Sequence, residues 1–263
     1  MIEWMKYRWL YLLISGTIIL AGIFSAIKWG FKIGIDFTGG VVAEYRLESG
    51  ENKIFRYGPL STAEADKIRA EFTSQGAQEI RFESVGPSVG PELIKRTVTA
   101  LVISAGLILL WIAYQFKSFK FGISATLATI HDSLVLLGSF SILGHFFGAE
   151  IDFLFVTAML TILSFSVHDT IVVYDRIRES HKKFGEDFYD LANKAVSGTM
   201  VRSLNNSFTI IFMLVGLILL GGETTKWFSV ALLIGTVSGT YSSPFVAVPI
   251  LVTWDQIQKR VKK

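Results

Sequence analysis

Apolar residues run along this chain in stretches long enough to cross a lipid bilayer, and polar residues collect between them. A hydrocarbon core about 30 Å thick requires roughly 20 mostly apolar residues in an α-helix. Six stretches qualify, approximately Trp9–Lys28, Thr97–Phe116, Phe121–Leu143, Asp152–Tyr174, Arg202–Leu220 and Trp227–Trp254. The pattern predicts an all-α polytopic membrane protein with six transmembrane helices. The first stretch follows Lys6 and Arg8, as a signal-peptide core does, but it is too long for one and no Ala-x-Ala site follows it. It reads as a retained anchor.

Two polar segments interrupt the spans. Residues 29–96, between the first and second, read as a small α+β domain. Gly34–Leu47 (GIDFTGGVVAEYRL) sets β-branched and aromatic residues after a Gly-Gly pair, which predicts a strand preceded by a turn or bulge. Ser61–Gln75 reads as an amphipathic helix, with Ser61 as N-cap, Glu64 three residues on, an apolar stripe of Ala65, Ile68 and Phe72, and Gly76 closing it. Glu79–Val85 alternates like a half-buried strand. Gly86–Pro91 (GPSVGP) has no regular pattern and reads as a hinge. Between the fourth and fifth spans, Asp175–Val201 mixes charges with Phe184, Phe188, Leu191, Ala195 and Val196, the pattern of an interfacial or cytoplasmic amphipathic helix. The expected divisions are therefore an N-terminus with the first span (1–28), the α+β domain and linker (29–96), spans two to four (97–174), the amphipathic segment (175–201), spans five and six (202–254) and a basic tail (255–263).

Loop charges give an orientation. Lys6 and Arg8, Lys117 and Lys120, then Arg176, Arg178, Lys182, Lys183 and Lys194, and finally Lys259, Arg260, Lys262 and Lys263 all fall on one side. The opposite short loops carry only Lys226. The positive-inside rule puts both termini in the cytoplasm and residues 29–96 on the far side.

Composition agrees with the patterning. Hydrophobic residues make up 51% of the 263 and charged residues 18%, against about a quarter charged in soluble domains. Mean hydropathy is +0.49. Cysteine is absent, which excludes a disulfide framework and thiolate metal sites. The net charge of +3 follows from basic membrane-facing ends and needs no nucleic-acid partner.

An ionisable side chain at bilayer depth costs several kcal/mol, so it faces a cavity or a partner. The candidates are His131–Asp132 in the third span, His168–Asp169 in the fourth and Arg202 at the start of the fifth. Asp132 lies roughly 17 Å from its cytoplasmic helix end, near the midplane. Asp169 lies in the cytoplasmic third, at the depth where Arg202 enters. An Asp169–Arg202 pair that makes and breaks with protonation would form a proton relay; a static ion pair, or an arginine reaching the headgroups, is the alternative. Adjacent residues on a helix point about 100° apart, so neither His is expected to pair with its neighbouring Asp. No metal-ligand spacing occurs, and no metal or cofactor is expected. Ser203, Ser207 and Thr209 read as interhelical glue, with Asn205 and Asn206 candidates for a water path. Gly235 and Gly239 form a GxxxG packing signal, and Pro244 predicts a kink. Ser164, Ser166 and His168 share a helix without a Gly-x-Ser-x-Gly turn, and no nucleotide-binding glycine pattern occurs, so no enzyme is expected.

Gly34–Gly40 (GIDFTGG), Val85–Leu93 (VGPSVGPEL), His131–Asp132, Phe165–Glu179 (FSVHDTIVVYDRIRE) and Gly239–Ser243 (GTYSS) together resemble the SecF family, the smaller membrane partners of SecD in the bacterial Sec translocon. The likeness covers nearly the whole chain in order. It implies half of a resistance-nodulation-division-type bundle in the bacterial cytoplasmic membrane, with residues 29–96 periplasmic. Implied partners are SecD, the SecYEG channel, YajC, YidC and unfolded preproteins, and the implied role is completion of export by the proton-motive force. It further implies that Asp169 and Arg202 couple protons, with Asp132 secondary, and that Gly34, Asp36, Phe37, Gly39 and Gly40 form a periplasmic motif. His168 stands where the family often has Asn, and Pro244 where a bulkier residue is common. A structural subunit without proton passage remains the alternative. About 70 residues outside the spans are too few for the vestibule of a small-molecule exporter.

Overall fold

The computed structural model describes residues 2–47, 50–86, 89–184 and 187–261. Among them, six helical stretches are long and apolar enough to cross a membrane. Pro87 and Ser88 of the expected hinge, and Lys262 and Lys263 of the basic tail, lie outside the described residues. Two compact units result. One comprises residues 1–32, 101–150 and 154–263, the other 33–100 and 151–153.

The first unit is the helical bundle. Its helices are α1 (Arg8–Trp29), the greater part of α4 (Val89–Phe116), α5 (Phe119–Phe147), α6 (Phe153–Phe184), α7 (Phe188–Leu220), α8 (Glu223–Ser242) and α9 (Val248–Val261). The elements between α1 and α4, named α2, α3 and β1–β3, belong to the second unit. A π-helical turn over Ser243–Ala247 joins α8 to α9 as one continuous span, with the Val248 N–H bonded to Ser243 O. Pro244 explains the turn: proline lacks an N–H and its ring pushes the preceding carbonyl aside, so the helix widens there.

Small residues bring α1 onto α5. A Cβ built on Gly138 would lie 2.5 Å from Gly22 Cα, closer than any side chain tolerates. One turn on, the Ser25 and Ser141 hydroxyls are 2.8 Å apart, and Ser141 Oγ donates to Gly30 O at 2.8 Å. Close backbones and shared hydroxyls are how helices associate where lipid removes the hydrophobic drive.

The segment expected as one interfacial or cytoplasmic amphipathic helix is instead shared between the ends of two long helices. Helix α6 runs on to Phe184 and α7 begins at Phe188, so its residues extend two membrane helices. Leu191, Ala192, Ala195 and Val196 recur at the spacing of one helix face and are fully buried, the last three in a core with Met5, Phe116, Phe121, Tyr174 and Leu251. Polar contacts hold this end together. The Asn193 side chain accepts from the Met5 N–H at 2.9 Å, and Lys120 pairs with Asp255 at 2.7 Å. Asp187 caps α7 through the Tyr189 N–H and meets Lys259 at 2.7 Å, and that bond holds its carboxyl below the ordinary aspartate value. The hinge expected over Gly86–Pro91 is likewise shorter, because α4 starts at Val89. Its proline falls in the first turn, where a missing N–H costs nothing.

The second unit is α+β. It contains a single helical turn α2 (Ile35–Thr38), strands β1 (Gly40–Arg46), β2 (Asn52–Tyr57) and β3 (Gln78–Val85), and helix α3 (Thr62–Ser74). The sheet order is β2-β1-β3, with both pairings antiparallel and an irregularity at Glu44/Tyr45. Ser61 and Glu64 close the capping box in both directions. Phe72 of α3 stacks on Tyr45 at 4.4 Å, and Ala43, Ala77, Phe55 and Phe82 complete the core. Strand β2 has no counterpart in the sequence expectations. It is a mostly exposed edge strand, so it lacks an alternating apolar face to betray it.

Candidate functional site

Near the middle of α5, Asp132 is completely buried. Its carboxylate is surrounded by hydroxyls from two other helices. Ser238 Oγ donates to Oδ1 at 2.6 Å, while Ser166 Oγ (2.6 Å) and Ser242 Oγ (2.7 Å) donate to Oδ2. His131 Nδ1 lies 3.1 Å from Oδ1. Ser238 and Ser242 are four residues apart on α8 and so share one face. The GxxxG glycines deliver that face to α6: a Cβ on Gly235 would collide with Ile162, and one on Gly239 would lie 3.0 Å from Ser166 Cβ. The GxxxG signal is thus the means by which the serines reach the acid.

Hydroxyls continue from this centre along α6. The Thr170 and Ser243 hydroxyls are 2.9 Å apart, and Ser243 Oγ donates to Ser166 O at 3.2 Å. Tyr174 OH lies 2.7 Å from Ser124 Oγ and donates to Ala247 O at 3.3 Å. The π turn places Ser243 in this ladder directly after Ser242, so consecutive residues serve two polar groups. π-Bulges recur at functional positions for this reason.

The His131–Asp132 contact corrects an expectation. Adjacent Cβ atoms do diverge on a helix, but the imidazole is long enough for Nδ1 to turn back along the helix surface to the carboxylate. Asp169 also lies in the protein interior, 4% exposed, with Oδ2 buried and without a hydrogen-bond partner. Its electrostatic neighbours are His168 on its own helix and Ser203 and Arg202 on α7. Among the described residues no direct ion pair joins Asp169 to Arg202, and Arg202 is exposed. The expected contact is therefore not made in this structure. His168, Asn205 and Asn206 are exposed as well. Ser207 binds Thr240 of α8 at 2.5 Å, which is the glue expected of it.

The GIDFTGG residues do separate work in the α+β unit. Gly34 N–H donates to Ile151 O at 2.9 Å, and Asp36 Oδ2 accepts from the Phe153 N–H at 2.8 Å. Phe37 is buried. Gly39 and Gly40 have φ of 73° and 133°, values open to glycine, and a Cβ on Gly40 would lie 2.7 Å from Tyr57 O. These residues tie the first strand to 151–153; none of them forms a cluster of titratable groups. Among the described residues no three His, Cys, Asp or Glu side chains converge as metal ligands.

The residues that sequence reasoning missed are Ser166, Ser238 and Ser242. A signal was present in the i,i+4 spacing of the two α8 serines beside the GxxxG, on a span that needs polar partners for an acid elsewhere.

Comparison with known proteins accounts for this arrangement. The family model described as protein export membrane protein SecD/SecF, C-terminal, matches residues 65–257. A protein translocase subunit SecF from Thermobaculum terrenum is 38% identical over 97% of this chain and 94% of its own length. The SecF of Anaerolinea thermophila is 34% identical over 94% of this chain and 92% of its own. Among solved structures, the crystal structure of SecDF, a translocon-associated membrane protein from Thermus thermophilus, superimposes with a TM-score of 0.87 at 28% identity. The match covers 97% of this chain and 39% of that one, so the chain spans about two fifths of that protein's length. On these matches and on the six-helix bundle that carries its buried acids, the chain belongs to the SecF branch of the SecD/SecF family of protein export membrane proteins.

Proposed function

We propose that this protein is an accessory subunit of the Sec translocase that joins a SecD chain in the bacterial cytoplasmic membrane and uses the proton-motive force to complete preprotein export. The names of its relatives, translocase subunits SecF and SecDF, support the export role. In this reading both termini are cytoplasmic and the α+β unit is periplasmic, where it acts on preproteins leaving SecYEG; YajC and YidC are further partners. The single observation that carries the proton step is a pair of interior carboxylates, Asp132 and Asp169, neither of which has, among the described residues, a basic side chain as a direct ion-pair partner other than His131. Acids are costly there unless they are used.

Asp169 is the exchangeable end. Its unpartnered Oδ2 and the exposed Arg202 on the neighbouring helix leave room for two states. Ionised, the carboxylate attracts the guanidinium; protonated, it loses that attraction, and α6 and α7 are free to shift. A proton then changes a helix position because the two states differ in interaction energy. Asp132 supplies the inner station. When it is ionised, three serines donate to it; when it is protonated, it must donate one bond itself, and a serine must turn to accept.

Separate Asp169→Asn and Arg202→Met variants test this by export of a slowly translocated preprotein and by proton flux. Both rates fall if the reading holds, and unchanged rates in both variants refute it. A second reading, a structural subunit that carries no protons, is favoured by one observation: the Asp132 cradle is fully hydrogen-bonded as it stands. Under that reading charge-neutral variants assemble and export normally.

A further inference from the structure

His131 is 5% exposed, and its two nitrogens are treated unequally. Nδ1 faces Asp132 Oδ1 at 3.1 Å, whereas Nε2 is buried with no hydrogen-bond partner. Native interiors pair about nine in ten such atoms, because a stranded polar group forfeits its hydration. The remaining lone pairs of Asp132 are taken by Ser166, Ser238 and Ser242. A serine hydroxyl does not titrate at biological pH. Of the groups bonded to Asp132, the imidazole is therefore the one that can take a proton on one nitrogen while releasing one from the other.

An aromatic side chain borders the imidazole ring. The Tyr241 ring lies 6.4 Å from it, centroid to centroid, and Tyr241 OH donates to Tyr11 O at 3.0 Å and lies 3.4 Å from Ser15 Oγ. Tyr241 also borders a cavity of about 240 Å³ with Ser207 and Thr240 on its wall, between α7 and α8. Among the described contacts, the titratable side chains beside His131 are Asp132 on its own helix and Tyr241 on α8. Helix α6 contributes the Ser166 hydroxyl.

Resting on the proton-coupled reading above, we infer that His131 is the residue that loads Asp132, with Nε2 as the receiving end and Nδ1 as the delivering end. An ionised carboxylate only accepts, so the resting ring carries its proton on Nδ1. A hydronium ion delivers its proton to the Nε2 lone pair and departs as water. The proton on Nδ1 passes to Asp132 Oδ1. One proton enters and one leaves the ring, which remains neutral as the other tautomer, and no electrons are transferred. The protonated Asp132 then donates its O–H, and the serines of α6 and α8 must reorient around it. The reverse sequence empties the site. His131 acts on Asp132, and His168, exposed on α6, has no part in this step.

The test uses the complex with its SecD partner in liposomes, with proton entry read by an entrapped pH dye from about pH 5 to 8, the range in which imidazole titrates. His131→Gln keeps a hydrogen-bond donor beside Asp132 but cannot relay. It is expected to lower flux at least tenfold and to remove the histidine inflection from the pH profile. Wild-type flux in His131→Gln, or a lower flux with the inflection intact, overturns the inference. Asp169→Asn is the reference: if it too conducts at the wild-type rate, the proton-coupled reading itself has failed; if it is blocked while His131→Gln conducts normally, only the role of His131 has. Difference infrared spectra of the unmutated complex read the ring without a variant. The imidazole bands must titrate together with the Asp132 carboxyl band, identified by its loss in Asp132→Asn. A carboxyl band that titrates with no imidazole change overturns the inference.

Discussion

Replacing Asp132 by alanine removes the acceptor for three buried serine hydroxyls and for His131 Nδ1. Hydrogen bonds between membrane helices average about 0.6 kcal/mol each and reach about 1.7. Three lost serine bonds therefore cost about 2 kcal/mol at the average value and about 5 at the upper one. Part of this is recovered, because Ser242 Oγ is already within 3.3 Å of Gly239 O and can bond there instead. Removing a buried charge also returns some desolvation energy. The expected net loss for Asp132→Ala is about 1–4 kcal/mol. Asp132→Asn keeps the shape and one acceptor oxygen, and its amide donates to serines that turn round to accept, so it should cost about 1 kcal/mol or less. Denaturant unfolding of the complex in mixed micelles, followed by tryptophan fluorescence, separates the two variants. Equal stability of Asp132→Ala and Asp132→Asn would refute the view that the serine cradle is organised by this acceptor.

Other expectations follow from the same geometry. Gly138→Ala should destabilise the bundle by about 1–3 kcal/mol, the usual cost of overpacking, because its methyl meets Gly22 Cα, whereas Gly16→Ala has nothing within 4 Å and should be neutral; thermal melts compare them. Gly40→Ala combines a φ of 133° with a clash on Tyr57 O, and should raise hydrogen exchange across β1 and β2 while leaving α8 unchanged. The Ser61 hydroxyl and N–H hold the Glu64 carboxyl below its ordinary value. A lowered native value means the cap contributes fully above the ordinary glutamate range and is lost as pH falls through the lower, native one. Exchange of the first amides of α3 should quicken over that acid window, and Ser61→Ala, which keeps the N–H of residue 61 but loses the hydroxyl, should weaken the pH dependence.

Most of the fold was legible because a bilayer imposes a simple length rule. The six spans, the capped helix α3 and strands β1 and β3 each carried a periodicity or a cap. The segment 175–201 misled, because its apolar residues repeat at helical spacing whether the helix lies on a membrane or extends a span. Only packing against Met5, Phe121 and Leu251 distinguishes the two. Strand β2 was silent because an exposed edge strand needs no apolar face. At the site, the acids stood out by their cost in lipid, so Asp132 and Asp169 were visible. Their partners were not. Serines in membrane helices usually bond their own backbone four residues back, as Ser207 Oγ does to Ser203 O at 2.8 Å, and beyond the i,i+4 spacing of Ser238 and Ser242 beside the GxxxG nothing local marks the cradle serines as exceptions. The His131 contact depends on a side-chain rotation that Cβ directions do not encode. The Asp169–Arg202 contact was inferred from shared depth, and depth alone does not fix which way an arginine turns.

Proton conduction by the purified complex, with a pH gradient imposed across liposomes, bears most directly on the proton-coupled reading. The wild-type complex is expected to dissipate the gradient, and the double variant Asp132→Asn, Asp169→Asn to hold it as well as empty liposomes do. A double variant that conducts like the wild type would mean that the interior acids of this bundle carry no protons.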